Sequence, residues 1–362
     1  GITFTLTVNG VDPNWNISAS ADGKVVNIVT TDPNDTEPGG NTLSNGTRTF
    51  DIKNKTAGTV HKATATASGL SDGYSAYWTV VASAAVQLQI LCPGETADAG
   101  SSNGKSGSPS TQYSNGPFCV TVNSCDPYWN KSTAGGLYDT AVRLTTNDQY
   151  ASFVSSNNLQ SGTTYFWVTL KKSTPTAHLS SDDITTAPNM LSTSTAYFVV
   201  NSSNAVQLLI IMPGETGQPG DATGKSGAPA TLTAGTEFKL TVKGCDVNWN
   251  TVDISAKVKL ETPSDDYDTA YKEDWLTAGT TTFLWTFKTA KSNHQLKALD
   301  TDGNLPLLST YTQTGINVVA APAAKLQILL PGETAVAGDT ANNGRTGSPS
   351  PQTAGNQFTV TA

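Results

Sequence analysis

Charge is scarce in this sequence: Asp, Glu, Lys and Arg make up 14% of its 362 residues, against about 25% in an ordinary soluble domain. The net charge of −8 is spread thinly, without a basic stripe, so a nucleic-acid backbone has nothing to grip. No stretch approaches the roughly 18 to 20 apolar residues that span a bilayer, so no membrane insertion is expected within this segment. A helical period of 3.6 is missing throughout. The three histidines, His61, His178 and His294, sit in dissimilar sequence contexts, and no Ser, Cys or carboxylate pair recurs beside them, which speaks against an enzyme. Gly104-Lys-Ser-Gly107 and Gly224-Lys-Ser-Gly227 imitate the tail of a phosphate loop, but the preceding glycine spacing and the following helix are absent. The segment has no initiator Met and no signal peptide, from which processing or truncation is expected.

What the sequence has instead is repetition. Val86-Gln-Leu-Gln-Ile-Leu-Cys-Pro-Gly-Glu-Thr96 recurs as Val206 to Thr216 and as Lys325 to Thr334, with the Pro-Gly-Glu prolines Pro93, Pro213 and Pro331 spaced 120 and 118 residues apart. That period suits one immunoglobulin-sized domain with a long loop and exceeds a solenoid turn of about 20 to 50 residues. Each Pro-Gly-Glu element leads through Gly-Lys/Arg-Ser/Thr-Gly-Ser/Ala-Pro into a strand that alternates apolar and polar residues. The strand ends at an Asp-rich corner: Val11-Asp-Pro-Asn-Trp-Asn16, Cys125-Asp-Pro-Tyr-Trp-Asn130 or Cys245-Asp-Val-Asn-Trp-Asn250.

The period-2 alternation Phe4, Leu6, Val8 reads as a half-buried strand. Short strands at 25–28, 141–144 and 256–260 run into polar, Asp-bearing loops, and an aromatic strand follows each (47–52, 163–170, 281–287). Six or seven strands per repeat predict an all-β fold of tandem immunoglobulin-like sandwiches without significant helix. The expected units are 1–84, lacking its first strand, 85–204, 205–322, and 323–362, the start of a further repeat. Residues 1–8 are in phase with 355–362, so an excerpt from a longer chain is expected. The rival is that 325–331 completes a neighbouring subunit's first domain by strand addition, against which 355–362 would be redundant.

The signatures Leu-Gln-Ile-Leu-x-Pro-Gly-Glu-Thr, Gly-Lys-Ser-Gly-x-Pro and Asp-x-Asn-Trp-Asn, recurring in order, resemble the tandem repeats of very large bacterial surface proteins, broadly the filamin-like and invasin-like bacterial immunoglobulin domains. The resemblance implies extracellular, cell-surface display and a fibre, sheath, stalk or adhesin role, and it supplies no catalytic residue. Partners implied are copies of the chain itself or a surface glycan. Tyr128 stands where the other corners have Asn, so that side chain is not needed in every unit.

Two chemistries compete for the recurring carboxylates Asp12, Asp126, Asp246, Glu95, Glu215 and Glu333. Calcium at domain junctions would take six to eight oxygen ligands, whereas a turn carboxylate accepts backbone N–H bonds; two carboxylates per junction fall short of a calcium shell, which favours capping. No other cofactor is expected. The corner tryptophans Trp15, Trp129 and Trp249 read as packed aromatics rather than sugar-stacking platforms. Cys125 and Cys245 are equivalent and read as small buried residues. Cys92 and Cys119 occur only in the middle repeat, and a disulfide between them is weighed against a strand parity that sets Cys119 between inward Phe118 and Val120. Asn16, Asn34, Asn45, Asn54, Asn130 and Asn201 begin Asn-x-Ser/Thr sequons that would accept glycans in a secreted setting.

Overall fold

The computed structural model describes residues 1–185, 189–268 and 271–362. They fall into two compact units, one of residues 1–112, 117–169 and 174–200, the other of 113–116, 170–173 and 201–362. Strands dominate both; Ala19–Ala21 forms a single 3₁₀ turn.

In the first unit, Phe4–Asn9 pairs with Thr47–Ile52, and Val25–Thr30 lies between Asn41–Thr42 and Ala63–Ala67. Val26, Ile28, Phe50, Ile52 and Ala63 close the core between these layers. The alternation is literal: Val26, Ile28 and Thr30 are buried and Val25, Asn27 and Val29 exposed, because successive side chains of a strand point to opposite faces. The following repeat is built the same way with one strand more. Gln87–Leu91 pairs with Pro117–Cys125, which pairs with Thr163–Thr169, opposite a sheet in which Ala141–Thr146 and Leu179–Asp183 are central. Leu88 and Ile90 from the added strand are 1% exposed or less, and each such side chain stabilises the fold by about 1.5–3 kcal/mol.

In the second unit, Gln207–Ile211, Phe238–Cys245 and Thr280–Trp285 form one sheet. A five-stranded sheet faces it, carrying Lys257–Glu261, Lys291–Asp300 and Tyr311–Val319. Leu208, Ile210, Val242, Val258, Phe283, Trp285 and Ile316 share its core. Beyond it, Glu333–Ala335 and Arg345–Gly347 make a hairpin, and 325–331 is bonded to 355–362 through the Leu329–Thr361 pair.

Candidate functional site

Each Asp-rich corner is a closed five-residue turn. The Asp126 carboxylate accepts the Tyr128 and Asn130 N–H groups at 2.8 and 3.1 Å, and the Trp129 N–H donates to the Asp126 carbonyl at 3.1 Å. Asp12 and Asp246 repeat this geometry, accepting from Asn14 and Asn16, and from Asn248 and Asn250. The third position contributes only its N–H, which is why Tyr128 serves as well as Asn. To close so tightly the Trp takes a left-handed backbone in all three corners, φ 67° at Trp15, 63° at Trp129 and 62° at Trp249, a conformation costly for a bulky residue.

The repeated Gly-Lys/Arg motif explains how that strain is held. Gly104 lies flush against the indole: a Cβ there would sit 2.3 Å from Trp129 Cγ, and at Gly224 it would sit 2.4 Å from Trp249 Cγ. Trp129 and Trp249 are thus half-buried under the loops of their own repeats, on the flank of the sandwich rather than in its core. The Lys or Arg that follows pairs with the Pro-Gly-Glu carboxylate: Lys105 with Glu95 at 2.7 Å, Lys225 with Glu215 at 3.0 Å and Arg345 with Glu333 at 3.5 Å. Each Glu also accepts a backbone N–H, from Cys92, Met212 or Leu330.

These carboxylates sit in the turn-capping arrangement weighed against calcium. The carboxylates of Asp12, Asp126, Asp246, Glu95, Glu215 and Glu333 face N–H and ammonium or guanidinium donors, groups that repel a cation. Among the described residues no three His, Cys, Asp or Glu side chains are gathered at one point.

What the corners do hold is a neighbouring loop. Asn130 is buried; its Nδ2 donates to the Lys55 carbonyl at 2.8 Å and to both Asp126 oxygens at 2.9 and 3.0 Å. The Ala57 N–H donates to Asn130 Oδ1 at 2.7 Å. Asp126 further accepts the Ser83 N–H at 3.1 Å. One Asp–Asn pair therefore clasps the first repeat to the second inside the first unit. In the second unit Asn250 does the same to segment 170–173, donating to the Lys171 carbonyl and accepting the Ser173 N–H, both at 2.7 Å. Asp246 there takes the Ser203 N–H at 3.0 Å and the Ser114 hydroxyl. In the first repeat Asn16 bonds Asp12 at 2.9 Å and is exposed.

The clasped loop is shaped by a second buried Asp. Asp32 accepts the Asn34, Lys55 and Thr56 N–H groups and the Thr56 hydroxyl at 2.7 to 3.0 Å, and Asp265 takes the equivalent set from Tyr267, Lys288 and Thr289. Burial pushes both carboxyls up, but the hydrogen bonds, chiefly from Thr56 and Thr289, outweigh it and hold them below the ordinary carboxylate range. A histidine braces the other side: His61 Nε2 lies 3.0 Å from the Thr56 carbonyl and His294 Nε2 2.8 Å from that of Thr289. These two histidines, dissimilar by sequence context, are structural equivalents, and His178 falls one residue out of step in the strand register. Close approach completes the junction: a Cβ on Gly100 would stand 2.3 Å from Thr56 Oγ1, and one on Gly338 2.2 Å from Thr289 Oγ1.

The remaining expectations divide. Cys92 and Cys119 are free thiols. Leu91 pairs with Thr121, so one step on Cys92 opposes Val120 and points into the core, while Cys119 faces outward opposite Trp167; the parity forbids the bond. Burial pushes the thiols of Cys92, Cys125 and Cys245 up to about 12. Of the sequons, Asn54 and Asn130 are 3% exposed and their amides are bonded inside the fold, which excludes glycans from the folded chain there. Asn34 is half-buried, with its amide on Thr56 and Ala99; Asn16, Asn45 and Asn201 are exposed. On the aromatic strand Phe166 points inward while Tyr165 and Trp167 are 60% and 67% exposed. Sequence reading placed Asp32, Asp148 and Asp265 in the polar loops that follow Val25–Thr30, Ala141–Thr146 and Lys257–Glu261 but gave them no role.

No protein-family model and no curated protein matches the sequence. Among solved structures the chain is similar to the FN1–FN3 domains of chicken CNTN1, at 7% identity over 86% of this chain and 94% of that one, with a TM-score of 0.28. It is similar also to domains 5–6 of the S-layer protein SbsC, at 13% identity over 58% and 93%, TM-score 0.19. A β-glycosidase from Bacteroides vulgatus matches at 11% identity over 64% of this chain and 24% of the enzyme, TM-score 0.24, so the chain spans about a quarter of that protein's length. Similarities this weak carry no argument; the chain's own strand order shows an all-β array of repeated two-sheet sandwiches.

Proposed function

We propose that this chain is a structural component of an extracellular microbial fibre, sheath or stalk, displayed at the cell surface, working without catalysis or a resident cofactor and partnered by copies of itself. The observation that carries the reading is the recurring clasp. The residues repeated most faithfully, Asp126 with Asn130 and Asp246 with Asn250, spend their side chains on a loop outside their own sandwich. Residues kept to hold one fold element against the next suit a load-bearing chain. A ligand-binding array would instead repeat groups aimed at solvent.

An adhesin is the second reading, favoured by one observation. Tyr165 and Trp167 point outward from the middle repeat, where the first repeat has Thr49 and Asp51 at the equivalent positions; an exposed aromatic pair particular to one repeat offers a stacking seat for glycan. Immunogold electron microscopy of the native surface, with antibody raised to the chain, separates the two. Gold along regular filaments supports the structural role. Gold scattered over a surface without filaments, combined with glycan binding lost in Trp167→Ala, overturns it in favour of the adhesin.

A further inference from the structure

In the third repeat the recurring Glu–Lys pair has an added neighbour. Lys225 Nζ donates to Glu215 Oε2 at 3.0 Å, to the Ile210 carbonyl at 3.2 Å and to Gln313 Oε1. The place is enclosed: the side chains of Lys225 and Glu215 are 13% and 3% exposed, and Gln313 is 6% exposed. The Tyr311 ring covers the ammonium, its centroid 5.2 Å from Nζ, and Trp249 packs edge-on against that ring at 6.0 Å. An amine, a carboxyl and a carboxamide therefore meet at one buried point.

The grouping is particular to this repeat. Ala65, Ser181 and Ala298 are equivalent, opposite Ile28, Leu144 and Leu260, and their partners on the other side are Gly73, Thr193 and Tyr311. Two residues on stand Ser75, Thr195 and Gln313. The hydroxyls of Ser75 and Thr195 accept the Ala63 and Leu179 N–H groups at 2.8 and 3.1 Å, so they serve their own sheet. Gln313 instead turns its acyl oxygen to the Lys225 amine, while its Nε2 donates to the Thr314 carbonyl at 2.8 Å. Lys105, the equivalent lysine of the middle repeat, keeps its pair with Glu95 at 2.7 Å but has Thr195 in place of the carboxamide.

We propose that Lys225 and Gln313 join in an intramolecular Nε-(γ-glutamyl)lysine cross-link, with Glu215 carrying the protons. Glu215 takes one proton from the ammonium, and the freed Nζ lone pair attacks Gln313 Cδ, one bond from the oxygen that Nζ already touches. Nζ passes a second proton to Glu215 as Glu215 gives the first to Nε2; the Cδ–Nε2 bond breaks and ammonia leaves. Glu215 then hands its remaining proton to the ammonia, so one ammonium ion is released and the balance closes without another reactant. Burial favours the neutral amine and acid over the ion pair, and fixed placement makes the attack unimolecular. The reaction turns over once, on the chain itself. Its consequence is mechanical. Lys225 opens the hairpin strand Lys225–Gly227 that follows Gln207–Ile211, and Gln313 lies on Tyr311–Val319, the last strand of the sandwich. Once they are joined, residues 226–312, which carry Phe238–Cys245, Lys257–Glu261, Thr280–Trp285 and Lys291–Asp300, lie in a closed covalent loop that tension along the chain bypasses. This deepens the fibre reading and rests on it for its purpose.

The test is mass spectrometry of the folded 362-residue chain, intact and after trypsin. The wild type should fall short of the sequence mass by one ammonia, and trypsin should leave the chain uncut at Lys225 and release one branched peptide joining 225 to 313, with Lys105 cut normally. Lys225→Arg keeps the charge pair, as Arg345 does with Glu333, and removes the amine, so it should show the full mass. Glu215→Gln keeps both reacting groups and should also show the full mass, with unchanged circular dichroism to verify its fold. A wild type of full mass that is cut at Lys225 overturns the proposal. So does an ammonia deficit that persists in Lys225→Arg or maps to a succinimide at an Asn-Gly bond such as Asn103-Gly104, and a branched peptide from Glu215→Gln overturns the role given to Glu215. A full-mass wild type leaves the fibre reading standing if gold still decorates filaments, whereas a cross-linked chain without filaments would sink that reading alone.

Discussion

Replacing Asn130 by Ala removes the centre of the first clasp and leaves the corner's backbone intact. Two bonds to the neighbouring loop disappear, to the Lys55 carbonyl and from the Ala57 N–H, along with those to Asp126. Each neutral bond is worth about 1 kcal/mol net, so the loop loses roughly 2 kcal/mol of its hold on the next repeat, equivalent to about 30-fold in an opening equilibrium. The same substitution at Asn16 is the internal control. It breaks the equivalent bond to its own Asp12 but none to another repeat. Hydrogen exchange read by mass spectrometry on peptides covering 53–58 should therefore accelerate about 30-fold in Asn130→Ala and stay unchanged in Asn16→Ala. Unchanged exchange in Asn130→Ala would refute the clasp, as would an equal acceleration from Asn16→Ala.

Gly104→Ala should lower stability by about 2–3 kcal/mol, from left-handed backbone strain of about 1–2 kcal/mol plus displacement of Trp129, and red-shift the tryptophan fluorescence; Gly136→Ala, at φ 82° with nothing within 4 Å, should cost the strain alone and leave the fluorescence unmoved. Because hydrogen bonds hold the Asp32 and Asp265 carboxyls below their unfolded values, the stability they contribute is present above about pH 4. It is lost as pH falls through the lowered folded values, so exchange at 53–57 should speed up in acid, and Asp32→Asn should abolish that dependence for the first loop. Under native conditions a thiol reagent should label Cys119 alone, with Cys92, Cys125 and Cys245 reacting only on unfolding; an intact mass showing a disulfide would contradict the strand parity. Chelation should leave the melting temperature unchanged, since the corner carboxylates are already occupied by N–H donors.

Much of the architecture was legible because it is written in short range. The alternation of Val26, Ile28 and Thr30, the threefold Pro-Gly-Glu element, and the corner at Asp126 each declare themselves within ten residues. Turn capping by Glu95 followed from its place after Pro-Gly. The clasp was not legible for the opposite reason. Asn130 meets Lys55 and Ala57 more than seventy residues away in sequence, and those partners offer backbone groups, which leave no residue-type signature. His61 and His294 hid their equivalence because their neighbours differ in type, although each lies five residues beyond the threonine whose carbonyl it meets. The left-handed tryptophans also had no sequence cue, since φ above zero is ordinarily a glycine or asparagine property. Gly104 made sense only once Trp129 was seen lying on it.

The rigidity of the clasped junction is the point on which the structural role turns, and paired spin labels measure it directly. With Cys119 replaced by Ser, labels at the exposed positions Ser71 and Asn157 report the distance between the first two repeats of the first unit. A single narrow distance distribution that broadens in Asn130→Ala is the expected result; a wild-type distribution already as broad as the variant's would contradict a load-bearing junction.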